Sequence, residues 1–228
     1  MSSRDLPHAG GRAPRASTAS DASRKASVAA IIFDLDGVLV DSEQAWDQAR
    51  RDVVDAHGGA WTASATRDML GMSSREWPVY VVEQLGTQLT PDEVNAAVVE
   101  AMLAGYREHL PLLPGAREAV ERLSDRYRLG LASSSNRPVI DVVLDAMGVT
   151  DRFAATVSSE EVERGKPAPD VYLAVASALG ADPVRCVAVE DSSNGLRVIA
   201  IPNPHFPPAD AALRLADEIL ENLDAVRL

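Results

Sequence analysis

The 228-residue sequence is poor in cysteine and in aromatic residues, and it has no long hydrophobic run. Its single cysteine, Cys186, excludes an internal disulfide bond and any zinc cluster built from cysteines. Aromatic residues make up only 4% of the chain, so alanine, valine, leucine and isoleucine have to build the core. Apolar runs such as 28–33 are too short to span a bilayer, and no apolar secretory segment is visible. We therefore expect a cytoplasmic protein.

Positive charge is also scarce. Lysine and arginine total 22 residues against 34 aspartates and glutamates, which gives a net charge of −12 at pH 7. Such an acidic chain argues against nucleic acid or an anionic membrane surface as the main partner. We expect neither partner, and a monomer or a weak dimer in solution.

Residues 1–27 differ in composition from the rest of the chain. They consist mostly of serine, alanine, glycine, proline and arginine, with almost no large apolar side chains. Such a segment buries too little apolar surface to offset the entropy of ordering. We expect a disordered tail here, with an organellar transit peptide as the alternative.

From Val28 onward, short apolar runs alternate with helical stretches. Four runs have the pattern of buried parallel strands: 28–33, 128–132, 153–157 and 185–189. Three stretches have the pattern of helices, and the last two of them end at a glycine: 115–124, 136–147 and 169–179. Strands that alternate with helices predict an α/β fold, a Rossmann-like parallel sheet flanked by helices.

The segment 44–112 contains no predicted strand and indicates an all-helical insert after the first strand. One helix is predicted from Ser42 to His57, and a capping box at Thr90 predicts another that runs to about His109. Ligands of parallel sheets bind at the carboxyl ends of the strands, so an insert that leaves the chain there predicts a cap over that edge. The predicted division is a tail at 1–27, a core of 28–43 and 113–228, and a cap of 44–112.

Acidic pairs follow two of the predicted strands. Asp34 and Asp36 come directly after the first strand, and Glu190 and Asp191 come directly after the strand at 185–189. Carboxylates this close repel one another unless a cation lies between them. Taken alone, the pair Asp34 and Asp36 could also be an acidic turn without a function, since aspartate and glycine are common in turns. Four carboxylates at two strand ends favour a metal, and oxygen ligands suit Mg²⁺ better than zinc or copper.

Two further segments predict an anion site. Residues 133–136 place hydroxyl groups and free backbone amides at the start of a helix, although a simple serine cap is the alternative. Lys166 is the only lysine after residue 27 in a chain that otherwise uses arginine. A lysine suits a position that needs a compact point charge, and chance retention on a surface loop is the alternative.

In chain order, four motifs resemble those of the haloacid dehalogenase superfamily: Asp34-x-Asp36-Gly37, Ser133, Lys166-Pro167 and Glu190-Asp191. The helical insert resembles the cap of the β-phosphoglucomutase-like phosphatases of that superfamily. The resemblance covers residues 28–208. It implies Mg²⁺-dependent hydrolysis of a phosphate monoester through an aspartyl phosphate, with a sugar phosphate or another small phosphorylated metabolite as the substrate.

The resemblance also implies a role for each motif residue. Asp34 is expected to be the nucleophile that accepts the phosphoryl group, and Asp36 the general acid and base. Ser133 and Lys166 are expected to hold the phosphate. The resemblance places Mg²⁺ on the Asp34 carboxylate, the Asp36 backbone carbonyl and Asp191. It implies that Glu190 is either a further ligand or a residue that supports the ligands. A carboxylate is a poor nucleophile toward a dianion unless a metal neutralises its approach.

Three other functions remain as alternatives at this point. A 2-haloacid dehalogenase needs neither Mg²⁺ nor an acid/base two residues after the nucleophile, so Asp36 argues against it. A β-phosphoglucomutase carries a histidine about a dozen residues after the nucleophile, where this chain has Trp46, which cannot shuttle a proton. The third is a scaffold of the same fold that has lost its activity and serves in binding.

The substrate is expected to meet residues of both the core and the cap. The candidate residues are Glu43, Arg75, Ser134 and Asn136. Arg75 lies in the loop 71–77, where related caps face the substrate. The alternative is structural, with Ser74 as a helix cap and Arg75 as a solvated helix residue.

The connection after the second acidic pair is unusually short. Only residues 191–197 separate Glu190 from the apolar run 198–201, whereas related chains have a full helix and turn there. Either the run is a strand reached by a nearly extended chain, or 193–201 forms one short helix and leaves an edge position of the sheet empty. In both cases we expect the least stable corner of the domain and weak Mg²⁺ affinity.

Overall fold

The computed structural model describes residues 28–69, 72–191, 197–202 and 216–227, so the predicted tail lies outside the described residues. Six strands form one sheet in the order β3-β2-β1-β4-β5-β6, and every neighbouring pair is parallel. The strands are β1 Ala30–Phe33, β2 Arg128–Ser133, β3 Phe153–Ser158, β4 Cys186–Glu190, β5 Arg197–Ala200 and β6 Glu218–Ile219. The predicted parallel α/β fold is confirmed, with β6 as a strand that the sequence did not predict.

Seven α-helices lie in the described part of the chain. They are α1 Glu43–Ala56, α2 Ala65–Met69, α3 Trp77–Leu85, α4 Pro91–Glu108, α5 Ala116–Ser124, α6 Arg137–Met147 and α7 Asp170–Ala178. The first five lie between β1 and β2, and the first four of these belong to the insert. The predicted capping box begins α4, where the Thr90 hydroxyl accepts from Glu93 N at 3.3 Å and the Glu93 carboxylate accepts from Thr90 N at 2.9 Å. None of the described helices is long and apolar enough to cross a membrane.

Both faces of the sheet are buried, which explains why the predicted strands read as continuous apolar runs. On β1, Ile31 and Phe33 point into one hydrophobic cluster with α5, α6 and the insert. Ala30 and Ile32 point into the other cluster, which α7 covers. Gly130 on β2 lets α7 approach closely, since a Cβ at this position would collide with Val175.

The chain leaves the core and returns to it at adjacent points. Val40 and Leu112 form an antiparallel bridge. Leu113 N donates to Leu39 O at 3.0 Å, and Asp41 N donates to Pro111 O at 2.8 Å. This pairing keeps the four helices of the insert at the carboxyl end of β1, where the chain continues from Asp34 into the insert.

The run after the short connection is a strand. β5 pairs in parallel with β4, from Val187 opposite Arg197 to Glu190 opposite Ala200. The alternative prediction of one helix over 193–201 is therefore wrong for the described residues 197–201, and β6 lies beyond β5, so the position beside β4 is not empty. The β-branched pair Val198 and Ile199 is buried beside β4, which favours the strand. Residues 192–196 of the connection lie outside the described residues, and the low stability of this corner stays a prediction.

Candidate active site

The carboxylates that follow β1 and β4 lie together at one edge of the sheet. The two strands are neighbours, and Asp34 N continues their pairing by donating to Val189 O at 2.9 Å. One carboxylate oxygen from each of Asp34, Glu190 and Asp191 lies within 4.8 Å of the others. Asp34 is 7% exposed and Glu190 is fully buried. The register of two parallel strands is therefore sufficient to assemble the acidic cluster.

The acidic cluster is short of positive charge. Burial is the largest cause that raises the pKa of Asp34; the Lys166 ammonium opposes it, repulsion from Glu190 and Asp36 adds to it, and the net result is a pKa of about 7. Burial, followed by repulsion from Glu190 and Asp34, raises the pKa of Asp191 to about 9. Such a group of carboxylates gains stability when a cation lies among them.

The donor set fits a hard divalent cation. Among the described residues, the metal-ligating atoms that converge in the cluster are carboxylate oxygens, which are ligands that Mg²⁺ prefers. Gly37 leaves room for one of them, because a Cβ at this position would collide with the Asp191 carboxylate. Its backbone also has a positive φ of 75°, which favours glycine.

Lys166 connects the acidic cluster to a buried tyrosine. Its Nζ lies 2.7 Å from Asp34 Oδ2 and 2.9 Å from Glu190 Oε1. The Tyr172 hydroxyl donates to the same Glu190 oxygen at 2.7 Å, and Lys166 Nζ lies 5.0 Å from the Tyr172 ring centroid. Although burial lowers the pKa of Lys166, Asp34 and Glu190 together hold that pKa well above its ordinary value. The lysine therefore stays charged against the carboxylate predicted to be the nucleophile.

Asp36 is turned away from the acidic cluster and accepts hydrogen bonds from four side chains. Its Oδ1 accepts from Ser42 Oγ at 2.5 Å and from Trp46 Nε1 at 3.1 Å. Its Oδ2 accepts from Ser135 Oγ at 2.6 Å and from Ser133 Oγ at 3.4 Å. The two predicted catalytic aspartates, which lie two residues apart in the loop after β1, thus have different partners.

Residues of the insert meet the core beside this site. Arg75 donates from its guanidinium to the backbone carbonyl of Glu160 at 2.7 Å. Asn136 Nδ2 donates to the Glu160 carboxylate at 2.7 Å and to Asn95 Oδ1 of α4 at 3.2 Å. The candidate substrate residues Arg75 and Asn136 are thereby brought to one core loop, and Ser134 lies half-buried close to them in sequence.

The structural alternative for the cap loop is wrong in where it placed the two residues. The residue before α3 is Glu76 rather than Ser74, and Arg75 lies exposed in a turn before the helix. In that turn the Glu76 carboxylate accepts from both the backbone N and the hydroxyl of Ser73. Whether Arg75 meets the substrate stays a prediction. Glu43 begins α1 half-buried near Asp36, and burial together with repulsion from Asp36 raises its pKa.

Several residues of the site were missed by sequence reasoning. Tyr172 lies on α7 in a helical apolar pattern that does not distinguish it from ordinary core residues. Ser135 lies in the segment 133–136 that was predicted to bind an anion, but it was not singled out. Ser42, nine residues after β1, was predicted only as the start of a helix. No sequence signal indicated Glu160, because its contact with Arg75 joins residues that lie 85 positions apart in the chain.

A parallel α/β sheet with an acidic cluster and a buried lysine at its carboxyl edge, and with a helical insert after its first strand, agrees with the hydrolase fold that the four motifs predict. A sequence profile of the haloacid dehalogenase-like hydrolases matches residues 28–200. The chain belongs to this family, and the resemblance seen in its four motifs is confirmed.

Known relatives agree with this assignment. Hexitol phosphatase B of Escherichia coli K12 is 36% identical over 207 residues, which cover 86% of this chain and 93% of the relative. The phosphorylated carbohydrates phosphatase of Thermotoga maritima is 33% identical, over 73% of this chain and 78% of the relative. The crystal structure of CbbY from Rhodobacter sphaeroides with phosphate has a TM-score of 0.77 and 25% identity, covering 87% of this chain and 96% of that one.

Proposed function

We propose that this chain is a divalent-metal-dependent phosphatase that hydrolyses a small phosphorylated metabolite through an aspartyl phosphate. The family and the named phosphatases among the relatives confirm the prediction of a phosphatase. The observation that carries the mechanism is the Asp34 carboxylate, which stands at the end of β1 between the Lys166 ammonium and the acidic pair after β4. A sugar phosphate is the substrate class that the relatives favour.

The metal would be held by the carboxylates of Asp34 and Asp191. Glu190 is better explained as the group that holds Lys166 in place, because its Oε1 already contacts both Lys166 and the Tyr172 hydroxyl. When bound, the divalent cation neutralises charge on the phosphate and on the attacking carboxylate. Lys166 binds the transferring phosphoryl oxygens from the other side of Asp34.

Asp36 and the serines after β2 complete the proposed machinery. Asp36 donates a proton to the leaving oxygen in the first step and accepts one from water in the second. Ser133 binds the phosphate, and its hydroxyl is fixed because it accepts from Ser135 N at 2.9 Å. Hydroxyl groups and backbone amides at the start of α6 suit an anion.

We assign the insert, residues 44–112, as the cap that selects the substrate, over a core of 28–43 and 113–228. Arg75 and Asn136 line the junction between the two parts, together with Ser134, and Glu43 approaches it from α1. A mutase is less well supported, since the indole of Trp46 cannot carry a proton between substrate atoms. We further propose a cytoplasmic monomer or weak dimer that binds neither nucleic acid nor membrane.

Hydrolysis of p-nitrophenyl phosphate tests the proposed function. The protein is stripped with EDTA, dialysed and assayed with no metal, with Mg²⁺ and with Ca²⁺. Activity should appear with Mg²⁺ only, because Ca²⁺ accepts more ligands and would engage both oxygens of Asp34. Full activity in excess EDTA would contradict the metal-dependent mechanism and reopen the dehalogenase alternative.

A panel of sugar phosphates and phosphoglycolate then identifies the substrate class. We expect the highest kcat/KM on a sugar phosphate. If no phosphate ester is hydrolysed with Mg²⁺ present, the alternative of a scaffold without activity is correct.

A further inference from the structure

Trp46 is a buried side chain of the insert that reaches Asp36. It lies in the first turn of α1, is 6% exposed, and its Nε1 donates to Asp36 Oδ1 at 3.1 Å. Ser133 and Ser135 reach the other carboxylate oxygen from the end of β2. Asp36 is therefore held by the core at both oxygens, since Ser42 also donates to Oδ1 at 2.5 Å, and by the insert through the Trp46 N–H at Oδ1.

The indole of Trp46 is itself held in a cluster with Arg50 and Trp77. The guanidinium carbon of Arg50, one turn further along α1, lies 5.2 Å from the centroid of the Trp46 ring and 5.0 Å from that of Trp77 on α3. The two indole rings lie 6.2 Å apart. Burial lowers the pKa of Arg50 only to about 10, and the nearby Glu43 carboxylate opposes that shift, so the guanidinium is charged at neutral pH.

Contact of one cation with the faces of both rings restrains the plane of each ring. The direction in which Nε1 of Trp46 points is fixed with it. A donor held by packing in this way positions a functional group better than a donor on a mobile side chain. Simple filling of the core explains the burial of Trp46, but it does not explain why its one polar atom is directed at Asp36.

We infer that Trp46 is a positioning residue for Asp36 as general acid, an assignment that rests on the function proposed above. In the first step the Asp36 proton passes to the leaving oxygen while the bond from that oxygen to phosphorus breaks and the bond from Asp34 to phosphorus forms. The Asp36 carboxylate then takes a proton from water as the water oxygen attacks phosphorus and releases Asp34. The Trp46 N–H holds the carboxyl group where it transfers that proton.

Leaving groups that differ in their need for a proton separate this role from a structural one. An alkoxide leaves only when it is protonated, whereas p-nitrophenolate leaves as a stable anion. In Trp46→Phe, kcat/KM for an alkyl phosphate such as glycerol phosphate should fall about tenfold. The value for p-nitrophenyl phosphate should stay within about twofold. Inhibition by inorganic phosphate should not change, since the phosphate and metal contacts remain.

Trp77→Phe is the matched control. Trp77→Phe makes the same chemical change in the same cluster of Trp46, Arg50 and Trp77. Among the described contacts, however, Asp36 receives no hydrogen bond from Trp77. It should alter kcat/KM for both esters by the same factor. Equal losses on both esters in Trp46→Phe, or no loss on either, would show that Trp46 only fills space.

A second variant removes the donor without a cavity, in case Trp46→Phe fails to fold. Incorporation of benzothienylalanine at position 46 keeps the bicyclic shape and replaces the N–H by sulfur. Its ratio of alkyl to aryl kcat/KM should fall about tenfold, as in Trp46→Phe. An unchanged ratio would overturn the inference. A wild-type chain that hydrolyses neither ester would instead overturn the proposed phosphatase function.

Discussion

The two halves of the candidate site are held together by different means. In the core half, Asp34, Lys166 and Glu190 form a buried network in which Lys166 contacts both carboxylates within 2.9 Å. In the insert half, Arg75 and Asn95 each reach the core through a hydrogen bond, and Arg75 is exposed. Charge neutralisation dominates the first half, and single polar contacts at a junction dominate the second.

This difference indicates a division of labour. The core half is assembled by sheet register, so we expect it to determine the chemistry and hence kcat. The insert half depends on how the helices pack on the core, so we expect its junction with the core, at Arg75 and Asn95, to determine which substrate fits and hence KM. Substitutions in the Lys166 network and at the Arg75 junction should therefore affect different kinetic constants, and their effects on stability should differ as well. Trp46 belongs with the chemistry although it lies in the insert, because it contacts Asp36.

The largest effect is expected at Asp34. Asp34→Asn removes the nucleophile, and no neighbouring group can replace it, so kcat should fall at least ~10³-fold. The measurement is kcat on p-nitrophenyl phosphate with saturating Mg²⁺. Asp52→Asn is the control, because Asp52 is exposed on α1 and accepts only from Gln48 among the described bonds. If Asp34→Asn keeps more than a tenth of the rate, the covalent mechanism is wrong.

A smaller effect on rate, with a marked effect on stability, is expected at Lys166. Lys166→Met leaves Asp34 and Glu190 buried without their cation, which should lower the free energy of unfolding by ~3 kcal/mol in EDTA. Added Mg²⁺ should restore part of that loss, since it supplies charge to the same carboxylates. The value of kcat should fall ~10²-fold, as for the loss of one group that stabilises transition-state charge.

Thermal unfolding of Lys166→Met with EDTA and with Mg²⁺ measures how far the metal compensates for the lost lysine charge. Arg164→Met is the matched control, because Arg164 lies two residues away, is exposed and pairs with Asp170. It should change neither kcat nor the response of Tm to Mg²⁺. If Lys166→Met is destabilised equally with and without Mg²⁺, the metal does not bind among these carboxylates.

How a residue is positioned also determines whether the sequence alone predicts its place in the site. Asp34, Ser133 and Glu190 lie at the ends of adjacent strands, so a prediction of strands was enough to bring them together. Tyr172 reaches the cluster from a helix, and its hydrogen bond to Glu190 depends on how closely α7 packs against the sheet. Apolar periodicity predicts that the helix face is buried, but not which of its polar atoms meets a partner.

The sequence predicts secondary structure least well in short segments. The run 198–201 fits one face of a helix as well as a strand, and only the free edge of β4 decides between them. The start of the helix after the loop 71–77 is also ambiguous in sequence, because the segment is short. Residue spacing does not fix whether α3 begins after Ser74 or after Glu76.

The smallest effect is expected at Arg75 in the insert half. Arg75→Ala removes an exposed hydrogen bond to the Glu160 carbonyl and a positive charge beside the substrate site. Loss of one such bond is worth ~1 kcal/mol, so KM for the preferred sugar phosphate should rise about fivefold while kcat stays within about twofold. Steady-state kinetics on that substrate make the measurement. Arg67→Ala is the control, since Arg67 is exposed on α2 and its described ion pair joins its neighbour Asp68. A fall in kcat without a rise in KM would place Arg75 with the catalytic machinery of the core half and break the division between the two halves.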